Sequence, residues 1–94
     1  MTSMLRFHTY NPVLVTCYGC DIISIWYIDH GDNYPEFMRF FNNRNPKGSW
    51  MTAVAWMNEL TSSLLLTWIG DGIIRIWDGI LDLYGAVNFY QPQL

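Results

Sequence analysis

The sequence predicts an all-β fold of two four-stranded antiparallel sheets in tandem, and three observations carry that expectation. The stretch "VLVTCYGCDIISIW" (Val13 to Trp26) returns 51 residues later as "LLLTWIGDGIIRIW" (Leu64 to Trp77), with Thr, Gly, Ile, Ile, Ile and Trp at the same offsets. Each copy is a pair of aliphatic, β-branched runs on either side of a Gly-containing turn, the pattern of a β-hairpin. In the closing run "IIRIW", Ile73, Arg75 and Trp77 fall on one side and Ile74 and Ile76 on the other. Both sides are largely apolar, as in a strand covered on both faces.

Each unit opens with an extended segment, "MLRFH" (Met4 to His8) and "TAVAWM" (Thr52 to Met57), stopped by the turn formers Tyr10-Asn11-Pro12 and by Asn58 to Ser63. The hairpin comes next. Its turn in the second unit is Gly70-Asp71-Gly72, which supplies the positive-φ positions that tight hairpins need, whereas the first unit uses the poorer Tyr18-Gly19-Cys20-Asp21. A polar loop then leads to a fourth strand, "DHGDNYPE" to "FMRFF" (Phe37 to Phe41) and "DGILDLYG" to "AVNFY" (Ala86 to Tyr90).

Sheets that are apolar on both faces and repeat at about 50 residues are expected to be propeller blades, each packed between neighbours. Kelch repeats share the spacing but carry a Gly-Gly pair that is missing here. Trp77-Asp78 matches the dipeptide that closes a WD-repeat blade, and Trp26-Tyr27 is its degraded counterpart. The expected architecture is therefore two WD-repeat blades, residues 4–41 and 52–90, joined by an inter-blade loop at 42–51, in an incomplete β-propeller.

Composition narrows the function. Only 14% of the 94 residues are charged while 51% are hydrophobic and 17% aromatic, against about a quarter charged in ordinary soluble domains. A net charge of -3 and a pI near 5.0 leave no electrostatic footprint for nucleic acid. The longest apolar run, "SLLLTWIG", is far short of the roughly 20 residues that cross a bilayer. The N-terminus lacks the apolar core of a signal peptide, so membrane insertion is not expected and a cytoplasmic setting is.

The stretches "LRFHTYNPVLVT", "ISIW", "NELTSSLLL" and "DGIIRIW", in this order and spacing, resemble the Raptor family, the WD-repeat scaffolds of the target-of-rapamycin kinase complex, and its plant members most. The resemblance runs from Leu5 to about Asp82. It departs from the family at "CYGC", over Tyr27 to Phe41, and at the bulky "WIG". Nothing in the chain resembles the family's caspase-like domain or helical repeats, so substrate and kinase binding carry over to no residue here. The resemblance implies a hydrogen-bonded tetrad in which Thr67, Asp71 and Trp77 join a His. No Gly-His precedes Thr52, so that tetrad is expected to be incomplete.

No residue pattern implies catalysis, a cofactor or a metal. Cys17-Tyr-Gly-Cys20 flanks a turn without a second ligand pair, and reads as two free thiols. His8 and His30 are far apart in sequence, and no nucleophile elbow is present. Asp29 with Asp32, and Asp78 with Asp82, read as solvated loop charge. The expected structural WD-repeat residues are Thr67, Asp71, Trp77, Asp78 and Trp26, and the candidate interaction rim is Tyr18, Asp32, Arg44, Lys47 and Trp68.

Two blades share one interface and leave two outer faces bare. At about 400 Å² of apolar surface per face and about 25 cal/mol per Å², roughly 10 kcal/mol per face is not gained, comparable to a whole domain's stability. The chain is thus expected to be marginal alone, self-associating, or completed by another polypeptide. The function that follows is a non-catalytic scaffold fragment with protein partners, namely further blades or components of the kinase complex. The alternative is a truncated partial gene product with no independent function.

Overall fold

The structure, a computed structural model, describes residues 4–18, 21–28, 35–58, 63–70, 72–82 and 84–92. Eight strands follow one another: β1 (Met4–Phe7), β2 (Val13–Tyr18), β3 (Ile22–Tyr27), β4 (Glu36–Asn42), β5 (Met51–Asn58), β6 (Ser63–Ile69), β7 (Ile74–Asp78) and β8 (Asn88–Tyr90). They form two separate four-stranded sheets in simple meander order, β1-β2-β3-β4 and β5-β6-β7-β8, with every pairing antiparallel. Among the described residues there is no helix, and the sheets do not close into a barrel. This is the arrangement of two consecutive blades of an open propeller.

Local chemistry sets the strand ends. Between β1 and β2 the chain turns at Asn11-Pro12, and the His8 amide closes the turn on the Val13 carbonyl at 3.0 Å. The β6–β7 turn is held by Ile69 N–H donating to the Ile73 carbonyl (2.8 Å) and Gly72 N–H to the Ile69 carbonyl (2.9 Å). Gly72 has φ +87, a conformation glycine adopts without penalty. The fourth strand of the second sheet is shorter than the expected Ala86 to Tyr90. β7 ends at Asp78, whose partner is Asn88, so residues before Asn88 have no strand left to pair with.

The two sheets stack through one face each. Val15, Cys17, Ile23 and Ile25 of the first sheet and Val54, Leu65, Ile69 and Trp77 of the second lose essentially all solvent contact. Burial of each such side chain contributes about 1.5–3 kcal/mol. Phe41 of β4 lies 4.7 Å from Trp77 of β7, ring to ring, and Phe89 of β8 packs on the same indole at 4.7 Å. Ile80, in the loop after β7, is fully buried in the same core. The opposite face of β7, with Ile74 and Ile76, is only half covered. Among the described residues, only one of the two apolar faces of "IIRIW" therefore has a neighbouring sheet.

Arg39 of β4 ties that loop to the first sheet. Its guanidinium donates to the carbonyls of Asp82 (2.9 Å), Gly79 (3.4 Å), Ile80 (3.5 Å) and Gly85 (3.4 Å). On the other side of the stack, Trp56 Nε1 of β5 donates to the Arg6 carbonyl of β1 at 3.1 Å. β1 and β5, the first strands of the two sheets, thus lie beside each other.

Candidate functional site

The densest polar cluster lies where the chain crosses from one sheet to the other. Asn43 follows β4, where its amide donates to the Asp21 carbonyl at 2.8 Å, so its side chain points into the second sheet. It is fully buried. Asn43 Oδ1 accepts from Thr67 Oγ1 (2.7 Å) and Trp77 Nε1 (3.1 Å), and Nδ2 donates to Asn45 Oδ1 (2.6 Å). The indole N–H is shared with Thr67 Oγ1 at 3.1 Å. Thr67 and Trp77 meet because alternate residues of β6 and β7 share a face, with Leu65 opposite Trp77 and Thr67 opposite Arg75.

Asn43 thus joins Thr67 and Trp77 through one carbonyl oxygen, a partner for the pair that was absent from the expected set. It was missed because an Asn in a polar connection reads as ordinary loop chemistry. Asp71 lies outside the described residues, so the described network is Asn43, Thr67 and Trp77. The first sheet repeats half of it: Trp26 Nε1 donates to Thr16 Oγ1 at 2.8 Å.

Arg75, also absent from the expected set, is buried beside this network. Its Nη1 donates to the carbonyls of Asn43 (2.6 Å) and Arg44 (2.8 Å), and its guanidinium lies 5.1 Å from the Phe89 ring centroid. Arg44 sits at φ +58, with its own guanidinium 5.8 Å from Phe89 on the solvent side. A buried cation is retained when backbone carbonyls and an aromatic face replace its water. The arginine locks the connection onto the second sheet.

The other described residues of the expected rim stand on separate elements. Lys47 is exposed in the turn of the connection, and Trp68 is 44% exposed on the face of the second sheet turned away from the first. Tyr18 ends β2, and Asp32 lies outside the described residues. Asp78 is exposed and its Oδ1 accepts from the Gly79 amide at 2.7 Å, capping the chain as it leaves β7.

A second polar cluster surrounds His8. The ring is buried, 4.9 Å from Trp56 and edge-on to it. Nδ1 accepts from the amides of Tyr10 (3.0 Å) and Asn11 (2.9 Å), which leaves the proton on Nε2, directed at Ser63 Oγ 2.8 Å away. A general base for a serine needs a lone pair on the nitrogen facing the hydroxyl. Here the polarity is reversed, so the pair is a tie between the β1–β2 turn and β6 rather than a nucleophile with its base. Burial also lowers the His8 pKa, holding the ring neutral. An open cleft of about 460 Å³ beside it is lined by Phe7, His8, Tyr10, Asn11, Pro12 and Tyr27.

Among the described residues no cluster of His, Cys, Asp and Glu could hold a metal ion, and no helix is long and apolar enough to cross a membrane. Cys17 is a free thiol, fully buried, its pKa pushed up to about 11 by that burial. It stays protonated and unreactive. Cys20 lies outside the described residues.

No family model matches the chain. Over 77 residues it is 35% identical to a protein described as Protein raptor homolog from Dictyostelium discoideum. That stretch covers 82% of this chain and 5% of the relative, so the chain is similar to a small part of a much longer protein.

Proposed function

We propose that the chain is a non-catalytic scaffold fragment of Raptor type, offering a protein-interaction surface in target-of-rapamycin kinase signalling in the cytoplasm. Two WD-repeat blades, 4–41 and 52–90 joined by 42–51, form the scaffold, with Thr67, Asp71, Trp77, Asp78 and Trp26 as its structural repeat residues. The supporting observation is how the side chains are used. The polar groups best suited to chemistry, Asn43, Thr67, Arg75, Arg39 and His8, are consumed in bonds that hold the two sheets and their loops together. Many of the large side chains left in solvent are aromatic or aliphatic, Phe7, Phe40, Trp50 and Tyr84 among them. Such a surface recognises other proteins rather than small polar substrates.

Partners are further propeller blades or components of the kinase complex, met through the rim of Tyr18, Asp32, Arg44, Lys47 and Trp68; nucleic acid and membrane insertion have no part in this reading. The test is affinity purification of the tagged chain from cells that make it, probed for the target-of-rapamycin kinase. Recovery of the kinase, reduced by the double substitution Arg44→Glu/Lys47→Glu, is the expected result. Absence of the kinase from the purified material overturns the reading. The two bare apolar faces favour a second reading, a partial gene product without a function of its own, which predicts no peptide of this chain in native extract by mass spectrometry.

A further inference from the structure

Positions 51 residues apart in the two hairpins, β2–β3 and β6–β7, hold equivalent places, yet their burial is opposite. On the face that the first sheet turns to the second, Val15, Cys17, Ile23 and Ile25 are fully buried. Their equivalents Leu66, Trp68, Ile74 and Ile76 lie on the face of the second sheet turned outward, and none of them is buried. Conversely, Leu65, Thr67 and Trp77 are buried on the inward face of the second sheet. Their equivalents Leu14, Thr16 and Trp26 lie on the outward face of the first, where Leu14 alone is buried.

The likeness extends to contacts. Phe37 is the strand partner of Trp26, 5.3 Å away ring to ring, as Phe89 is the partner of Trp77. Each molecule therefore presents both halves of the interface it already contains, one on each outer side. Leu5, Phe7, Ile22, Phe37 and Phe40 are exposed on the first sheet, with Phe40 64% exposed. Ala53, Ala55, Trp68 and Tyr90 are exposed on the second. Four strands about 4.8 Å apart and five residues of about 3.3 Å give each face roughly 300 Å² in projection, within the range of apolar patches that mark interaction sites.

We propose that the outward face of the second sheet in one copy packs on the outward face of the first sheet in the next, head to tail, repeating between molecules the contact the two sheets make within one. The occupant is a second copy because only faces of these two kinds are seen to pack together here, and every copy carries one of each. Such a contact is heterologous, so it leaves one face of each kind free for the next copy. Its polar ties are missing: at the positions equivalent to Arg39 and Trp56 stand Tyr90 and Phe7. The association is apolar and persists in high salt, where charge pairs are screened.

The test is the mass of the purified full chain in solution at micromolar concentration, by light scattering and native mass spectrometry, without any other protein. Wild type is expected above monomer mass in both low and high salt. Phe40→Glu blocks one face and Trp68→Glu the other, so each variant is expected as a monomer. Mixed in equal amounts they form a one-to-one heterodimer, because each supplies the face the other lacks. A wild type that stays monomeric overturns the proposal and points to faces covered by another polypeptide; a mixture that stays monomeric, or variants that keep the wild-type mass, overturn it too. Protection of Cys17 from thiol reagents checks that each variant is folded, and the outcome does not depend on any signalling partner.

Discussion

Asn43 Oδ1 lies 2.7 Å from Thr67 Oγ1, so a residue that follows the last strand of the first sheet completes the interior of the second. This bond, rather than a contact within either sheet, fixes how the connection enters the second sheet.

Removing it leaves buried polar groups under-satisfied. Asn43→Ala is expected to destabilise the fold by about 2 kcal/mol, because each orphaned buried group costs about 1–3 kcal/mol. In a double-mutant cycle with Thr67→Val the two losses overlap, leaving a coupling of about 1 kcal/mol. Urea unfolding of the four proteins measures it, and strictly additive losses contradict the network.

Gly79 and Gly72 both have positive φ, +78 and +87, but their surroundings differ. A Cβ on Gly79 would stand 2.7 Å from the Ala86 carbonyl oxygen, whereas one on Gly72 meets nothing within 4 Å. Gly72→Ala is expected to cost about 1 kcal/mol from backbone strain alone. Gly79→Ala adds a clash with main chain and is expected to cost about 2 kcal/mol or more. Thermal melts of the two variants should differ in that order.

His8 makes stability depend on pH in one direction. Its folded pKa is lowered, so the unfolded chain binds the proton more readily than the folded one. The contribution is complete above the ordinary histidine value of about 6.5 and is lost as pH falls below it toward the folded pKa. Unfolding midpoints should therefore drop between about pH 7.5 and pH 5.5 in wild type, and drop less in His8→Asn, where the amide does not titrate in this range. Equal slopes in the two proteins would remove His8 as the cause.

Cys17 is expected to resist thiol reagents at neutral pH in the folded protein and to react within the unfolding transition. Its burial and raised pKa both suppress the thiolate. Labelling followed by peptide mass spectrometry separates Cys17 from Cys20. Rapid modification of Cys17 under native conditions would contradict the packed interface.

The sequence alone was enough to determine the strands and their order. Aliphatic, β-branched runs such as "VLVTCY" and "IISIWY", punctuated by Asn-Pro and Gly turns, are local signals, and a meander needs only local pairing. That Thr67 and Trp77 share a hydrogen bond was implied by the family resemblance rather than by the repeat, and the two side chains meet at 3.1 Å. Asn43, Arg75 and Arg39 could not be found in this way. Their distant partners stand 24 to 46 residues away, and six of them are main-chain carbonyls that look alike at every position. The tertiary structure alone decided which of two equally apolar faces is covered, because alternation shows that a side chain is greasy but not whether a neighbouring sheet arrives to bury it.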